Sequence, residues 1–160
     1  RVLEQGVFTH LIATHYAVPL LLASGQGLIA TTVDGECGPL YFNMAKNSVE
    51  KMTRLMAVDL KPHHVTVIAL GPGYMRSEKT LADLAASGQD WRNTSDKHLA
   101  ASESTRYAGR AVVALASDPK VLCKTGTGIH TGDAAEEYGF TDIDGTRPHW
   151  SRFWESQHPK

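Results

Sequence analysis

The chain has 160 residues, 42% of them hydrophobic and 21% charged, with a formal net charge of −1. That length holds one domain, or part of one, and can bury a core. The near-neutral charge gives no electrostatic case for nucleic acid, and no run of like charges marks a tail.

The chain begins at Arg1, almost at once inside a helical pattern, as a chain lacking its upstream part would. Residues 7–23 read as a mostly buried helix, kinked or ended in its last stretch by Pro19. Within it, "LIATHYAVPLLLA" (11–23) is too short to span a bilayer and has no basic n-region before it, so no membrane segment is expected. "SGQG" is a stop signal, "LIATTV" (28–33) a short strand, and "DGECGPL" a loop. Residues 42–60 read as the longest helix, with Met44, Val49, Met52, Leu55, Met56 and Leu60 near helical spacing and Pro62 ending it. "HVTVIAL" (64–70) is apolar almost throughout, as buried parallel strands are. "GPGYMRSE" is a sharp turn.

Residues 78–104 are polar with weak helical pieces and read as a lid-like substrate segment. A helix follows over 102–118, with Ser102 or Ser104 as its cap. "GTGIHTG" (126–132) reads as a last strand, and the aromatic tail as irregular. Helix, strand, helix, strand, helix, strand implies an α/β fold with a parallel sheet and right-handed crossovers.

Ligands of such sheets bind beyond the carboxyl ends of the strands. Three loops leave those ends here: "TTVDGECG", "LGPGYMRSE" and "HTGDAAEE", and they are expected to converge. At the first, Asp34 is a candidate acid/base group or a turn aspartate beside Gly35. At the second, Gly73 would let the backbone approach a ligand closely. The 42–60 helix opens on a tyrosine and a lysine, Tyr41 and Lys46. A lysine lowers a phenol's pKa only from the same helix face. Residues four apart, Phe42 and Lys46, share a face within about 40°, whereas Tyr41 lies about 140° away unless the helix starts after it. Tyr41 is otherwise a packing residue at the helix entry.

The eight histidines show no metal spacing, and "DIDG" (142–145) lacks the later ligands of a calcium loop, so no metal is expected. Cys37 and Cys123 form neither a CxxC pair nor a metal spacing and read as free thiols of a reducing, cytoplasmic compartment.

"GLIATTVDG" followed by "YFNMAKNSVEKMTRLMAVDLKPHHVTVIALGPGYMRSE" resembles the C-terminal half of a short-chain dehydrogenase/reductase. The resemblance runs from the Pro19 helix to about residue 132 and is strongest over 42–77. It implies a Rossmann-like parallel sheet with flanking helices whose N-terminal nucleotide-binding half is missing, leaving residues 1–160 as a single partial domain. It also implies hydride transfer between NAD or NADP and a small-molecule carbonyl or alcohol. On that resemblance Lys46 binds the nicotinamide ribose and lowers the pKa of the catalytic tyrosine. Pro72, Gly73, Tyr74 and Met75 lie along the nicotinamide, with Ser77 in place of the usual threonine. The family tyrosine falls on Phe42, with Tyr41 one residue out of register. The family serine falls near Asp34, with Thr32 the nearest hydroxyl. The helix asparagine and the glycine-rich T-G-x-x-x-G-x-G turn have no counterpart, so this chain by itself is expected to bind NAD(P) poorly.

Two functions follow. One is an incomplete or impaired NAD(P)-dependent oxidoreductase. The other is a non-catalytic dehydrogenase-like binding or oligomerisation module, pairing with its own copy through helix 42–60, as the matching helix commonly does in the family.

Overall fold

The structure, a computed structural model, describes residues 1–33, 39–88 and 90–158, with Asn93 described by its backbone alone. The contacts divide it into two compact units: Arg1–Gly71 with Leu115–Ile129, and Pro72–Ala114 with His130–Lys160.

The first unit is built on a three-stranded sheet in the order β1-β2-β5, from β1 (Gly27–Thr32), β2 (Val65–Gly71) and β5 (Gly128–His130). β1 and β2 run parallel, with Ile29 opposite Val67 and Thr31 opposite Ala69. Every residue of β2 is buried, as a run apolar almost throughout demands of a central strand. Helix α2 (Leu40–Leu60) crosses between the two strands and buries Ala45, Val49, Thr53, Ala57 and Leu60 at helical spacing. Ala57 and Leu60 join Val65 and Val67 in one core cluster, and Val49 joins Val33 and Ala69 in another. The buried Thr31 and Thr53 hydroxyls satisfy each other, 2.6 Å apart.

The amino-terminal helix departs from its expected burial. A π-helical stretch (Glu4–Phe8) runs into α1 (Thr9–Ser24), and neither contains a buried residue. Pro19 does not end the helix, which stops at Gly25 in the left-handed region (φ 72°), whose N–H donates to the Leu22 carbonyl. Val18 and Leu21 pack on the Ala57–Val67 cluster, while Phe8, Leu11, Ile12, Tyr16 and Leu20 are exposed. A helix apolar on all sides signals burial on all sides; among these residues only one face finds a partner. The helical run Glu4–Ser24 is 21 residues long and, by length and composition alone, apolar enough to cross a bilayer, which the run 11–23 by itself is too short to do.

The second unit carries a short parallel pair, β3 (Met75–Arg76) and β4 (Glu103–Ser104), with Met75 opposite Glu103. The lid-like stretch holds α3 (Glu78–Ala86), a 3-10 turn (Trp91–Asn93) and α4 (Lys97–Ala100). The expected 102–118 helix is α5 (Thr105–Ser117). It begins directly after Ser104, one of the two serines expected at its start. The Ser104 hydroxyl donates to Asp142, and the Ser102 hydroxyl to the Leu99 carbonyl. After α6 (Thr131–Tyr138) the tail is irregular over 139–149, as expected, but its last part is helical, forming α7 (Trp150–Gln157). Its aromatic residues carry α7 by packing, and packing partners distant in sequence leave no local periodicity to read.

Candidate functional site

In the first unit, Lys46 stands at the carboxyl end of β1. Its Nζ donates to the Thr32 carbonyl at 3.1 Å and lies 5.7 Å from the centre of the Phe42 ring, within cation–π range. Thr32, Phe42 and Lys46 are therefore brought together, one turn of helix against one strand end. Thr32 is exposed while its neighbour Thr31 is buried, the alternation a strand imposes. Tyr41 does not join them. Helix α2 begins at Leu40, after Pro39, so Tyr41 is already helical and its side chain is 66% exposed. A five-residue spacing on a helix puts it on another face. Asp34 and Cys37 lie outside the described residues; Cys123 is an exposed thiol. A cavity of about 630 Å³ opens at the opposite, amino ends of β1 and β2, lined by Gln26, Leu28, His64 and Thr66; it is at the wrong end of the strands for the site that the topology favours.

In the second unit, the chain leaving β2 forms the Pro-Gly turn. A Cβ on Gly73 would stand 2.4 Å from Trp150 Cβ and 2.9 Å from Glu103 Oε2. The missing side chain thus makes room for Trp150 at the start of α7. Sequence reasoning had assigned the same glycine to close approach of a ligand. Tyr74 packs its ring 5.7 Å from that of Trp150, which also neighbours His98, Phe153 and Trp154. Met75 enters β3. Ser77 caps α3, its hydroxyl accepting from the Thr80 N–H at 3.2 Å.

Two of the three loops expected to converge do meet, on Glu103. This fully buried side chain accepts from the Thr131 hydroxyl at 2.6 Å, at the start of α6, and its Oε2 lies beside Gly73, 2.9 Å from where a Cβ would stand. Its own N–H donates to the Tyr74 carbonyl at 2.9 Å. Burial pushes its carboxyl up to about 7, against the opposing pull of the Thr131 and Gly73 donors. Nothing in "ASESTRY" marks this residue beforehand, because its partners come from residues 73–74 and 131.

Arg76 is the second missed residue. Its guanidinium is buried, bonded to Asp142 (3.2 Å), Asp144 (3.3 Å) and the Ser102 carbonyl, and it stacks 3.8 Å from the Trp91 ring. The "DIDG" aspartates set aside as calcium ligands are thereby committed to an arginine. Trp91, Arg76 and Ser77 line a cavity of about 560 Å³ with Ser104 and Arg106.

Lys46 offers a cationic donor at a strand's carboxyl end, and the turn after β2 has no side chain at Gly73. A parallel sheet carrying that lysine and that turn defines a Rossmann-type α/β protein. The family model described as enoyl-(acyl carrier protein) reductase matches residues 2–131. The human dehydrogenase/reductase SDR family member 1 is 29% identical over 148 residues, covering 88% of this chain and 47% of that protein. A putative short-chain dehydrogenase/reductase from Burkholderia xenovorans superimposes with a TM-score of 0.67 at 25% identity, covering 83% of this chain and 55% of that one. A putative NAD(P)-dependent gluconate 5-dehydrogenase from Beutenbergia cavernae, solved with NADP bound at low occupancy, shares the fold with a TM-score of 0.64 at 22% identity; the match covers 83% of this chain and 55% of that one. The chain belongs to the short-chain dehydrogenase/reductase family. It spans about half the length of the relatives it matches.

Proposed function

We propose that this chain is the C-terminal half of an NAD(P)-dependent oxidoreductase that transfers hydride at a carbonyl or alcohol of a small cytoplasmic substrate, with its proton relay impaired. The observation that carries this reading is Lys46, held at the end of β1 by the Thr32 carbonyl with Phe42 against it. Lys46 would hold the nicotinamide ribose and Pro72 to Met75 would line the ring, with Ser77 in the place of the loop's usual threonine. Thr32 and Asp34 are the candidate polar groups for the substrate oxygen. Phe42 shares the face of Lys46 but has no proton to give, and a missing general acid costs on the order of 10²–10⁴ in rate. Tyr41 would have to turn through most of a half-circle of helix to replace it.

The exposure of Tyr41 favours a second reading, a non-catalytic binding or oligomerisation module. Leu55 and Val58 of α2 are exposed apolar residues that a second copy of the chain would cover. Titration with NADH or NADPH, followed by nicotinamide fluorescence, separates the two. A saturable signal that Lys46→Met abolishes supports the dehydrogenase. No saturable signal up to about millimolar cofactor, a weak affinity even for a fragment, together with dimers that Val58→Glu dissociates in sedimentation, supports the module.

A further inference from the structure

The tail carries a line of hydrogen bonds that oxidoreductase chemistry does not use. His149, just before α7, brings its Nε2 to 3.1 Å from Oδ1 of Asp133 on α6. Its other ring nitrogen, Nδ1, lies 3.2 Å from the Ser151 hydroxyl oxygen. A carboxylate, an imidazole and a serine hydroxyl are thus joined in that order, the arrangement that activates a serine for attack on a carbonyl.

Packing fixes the imidazole. A Cβ on Gly132 would stand 2.7 Å from His149 Cγ and 2.9 Å from its Cδ2, so this glycine makes the seat for the ring. Only 13% of the His149 side chain is exposed, against 50% for Asp133. Arg152 makes a bidentate pair with Glu136 and so ties the first turn of α7 to α6. Charge fixes the tautomer. An ionised Asp133 only accepts, so Nε2 of the neutral ring carries the proton and the Nδ1 lone pair faces Ser151. The hydroxyl therefore has a base beside it. α7 has no side-chain cap, and the N–H groups of its first turn, that of Ser151 among them, have no intrahelical partner. Such donors are what a negative oxygen forming beside Ser151 requires.

We infer that Ser151, His149 and Asp133 form a second reactive centre, an acyl-transfer site for esters of small carboxylic acids. Ser151 Oγ attacks the ester carbonyl carbon; a C–O bond forms, and the hydroxyl proton passes to His149 Nδ1. The bond to the alcohol oxygen then breaks, and the departing alcohol takes that proton, leaving Ser151 acylated. Water gives a proton to His149 and attacks the acyl carbon; the carboxylic acid departs as Ser151 regains its proton. Asp133 touches neither the ester nor the reacting atoms and is a positioning residue for the imidazole. Its half exposure lets water screen its charge, which suits the site to esters rather than to amides with their poorer leaving group. The centre lies within the second unit and works without a nicotinamide nucleotide, so it goes beyond the function proposed above.

The test exposes the full chain to a fluorophosphonate probe, which phosphonylates activated serines with loss of fluoride, and locates the adduct by peptide mass spectrometry. Hydrolysis of p-nitrophenyl acetate, followed by nitrophenolate absorbance, gives the ester rate. The adduct is expected on Ser151, and Ser151→Ala should remove it and lower the hydrolysis. His149→Ala should slow both reactions by about 10²–10⁴-fold. Asp133→Asn should slow labelling about tenfold or more, and Asp133→Glu should restore it. Should His149→Ala fail to fold, Ser151→Ala and the Asp133 pair, at half-buried and exposed positions, decide the matter. Labelling of Ser151 no faster than that of the chain's other serines, labelling indifferent to Asp133→Asn, or hydrolysis undiminished in Ser151→Ala overturns the inference.

Discussion

Gly73→Ala tests the packing that anchors α7 on the Pro-Gly turn. The added Cβ would lie 2.4 Å from Trp150 Cβ, 3.0 Å from Trp150 Cγ and 2.9 Å from Glu103 Oε2. Carbon atoms pack at about 3.5–4.0 Å, so α7 or the turn must move by about 1 Å or more. The obstructing atom is the root of the tryptophan side chain, so a rotamer change cannot relieve it. Overpacking of this kind costs about 1–3 kcal/mol, bounded above by the cost of undocking α7. The three tryptophans, Trp91, Trp150 and Trp154, all belong to the second unit, so tryptophan fluorescence in urea follows that unit alone. This matters because a chain with two compact units need not unfold in one step. The variant is made in the full chain and in a chain ending at His149, which lacks α7. Gly73→Ala should cost about 1–3 kcal/mol in the first and less by about 1 kcal/mol or more in the second, where only the Glu103 contact remains. Equal costs in both backgrounds would refute the assigned role of Trp150.

Three further outcomes are expected. Because burial raises the Glu103 carboxyl from 4.5 to about 7, the native state keeps a proton that the unfolded chain releases. The contribution is fully present below the unfolded value and is lost as pH rises to about 7, by at most ~3 kcal/mol, and Glu103→Gln should flatten that slope in urea titrations at stepped pH. Asp142→Ala leaves the Arg76 guanidinium buried with the Ser102 oxygens and, as carboxylate partner among the described residues, the partly exposed Asp144. It should destabilise the second unit by about 3–5 kcal/mol and shift the Trp91 emission, and a loss below about 1 kcal/mol would show the pair to be dispensable. Phe42→Tyr places a phenol on the face of Lys46, so its ionisation, read by phenolate absorbance, should fall about 0.5–2 pH units below the ordinary value of about 10. Lys46→Met in the same background should restore it; an unperturbed phenol in both would show that the lysine is aimed elsewhere.

The parts of the fold legible from residues alone are those whose signal is local. The nearly continuous apolar run of β2 and the helical spacing of Ala45, Val49, Ala57 and Leu60 record burial directly, because neighbours in sequence share one environment. Lys46 was legible for the same reason, since its relation to Phe42 and Tyr41 is set by helix geometry. The structure turned the angular argument about Tyr41 into an observation by starting α2 at Leu40.

What local pattern could not carry was the pairing of distant segments. Glu103 meets residues 73, 74 and 131, and Arg76 meets residues 102, 142 and 144. A buried charge is stable only with its partners, and those partners are named by the fold rather than by spacing. Apolar composition misled at α1 for a related reason: it records that a surface needs covering, not which residues cover it. Sequence by itself thus determined the α/β class, the parallel strands and the lysine helix. Only the tertiary structure decided that Gly73 yields its space to Trp150 and that Glu103 holds the turn, because both depend on atoms brought together from far along the chain.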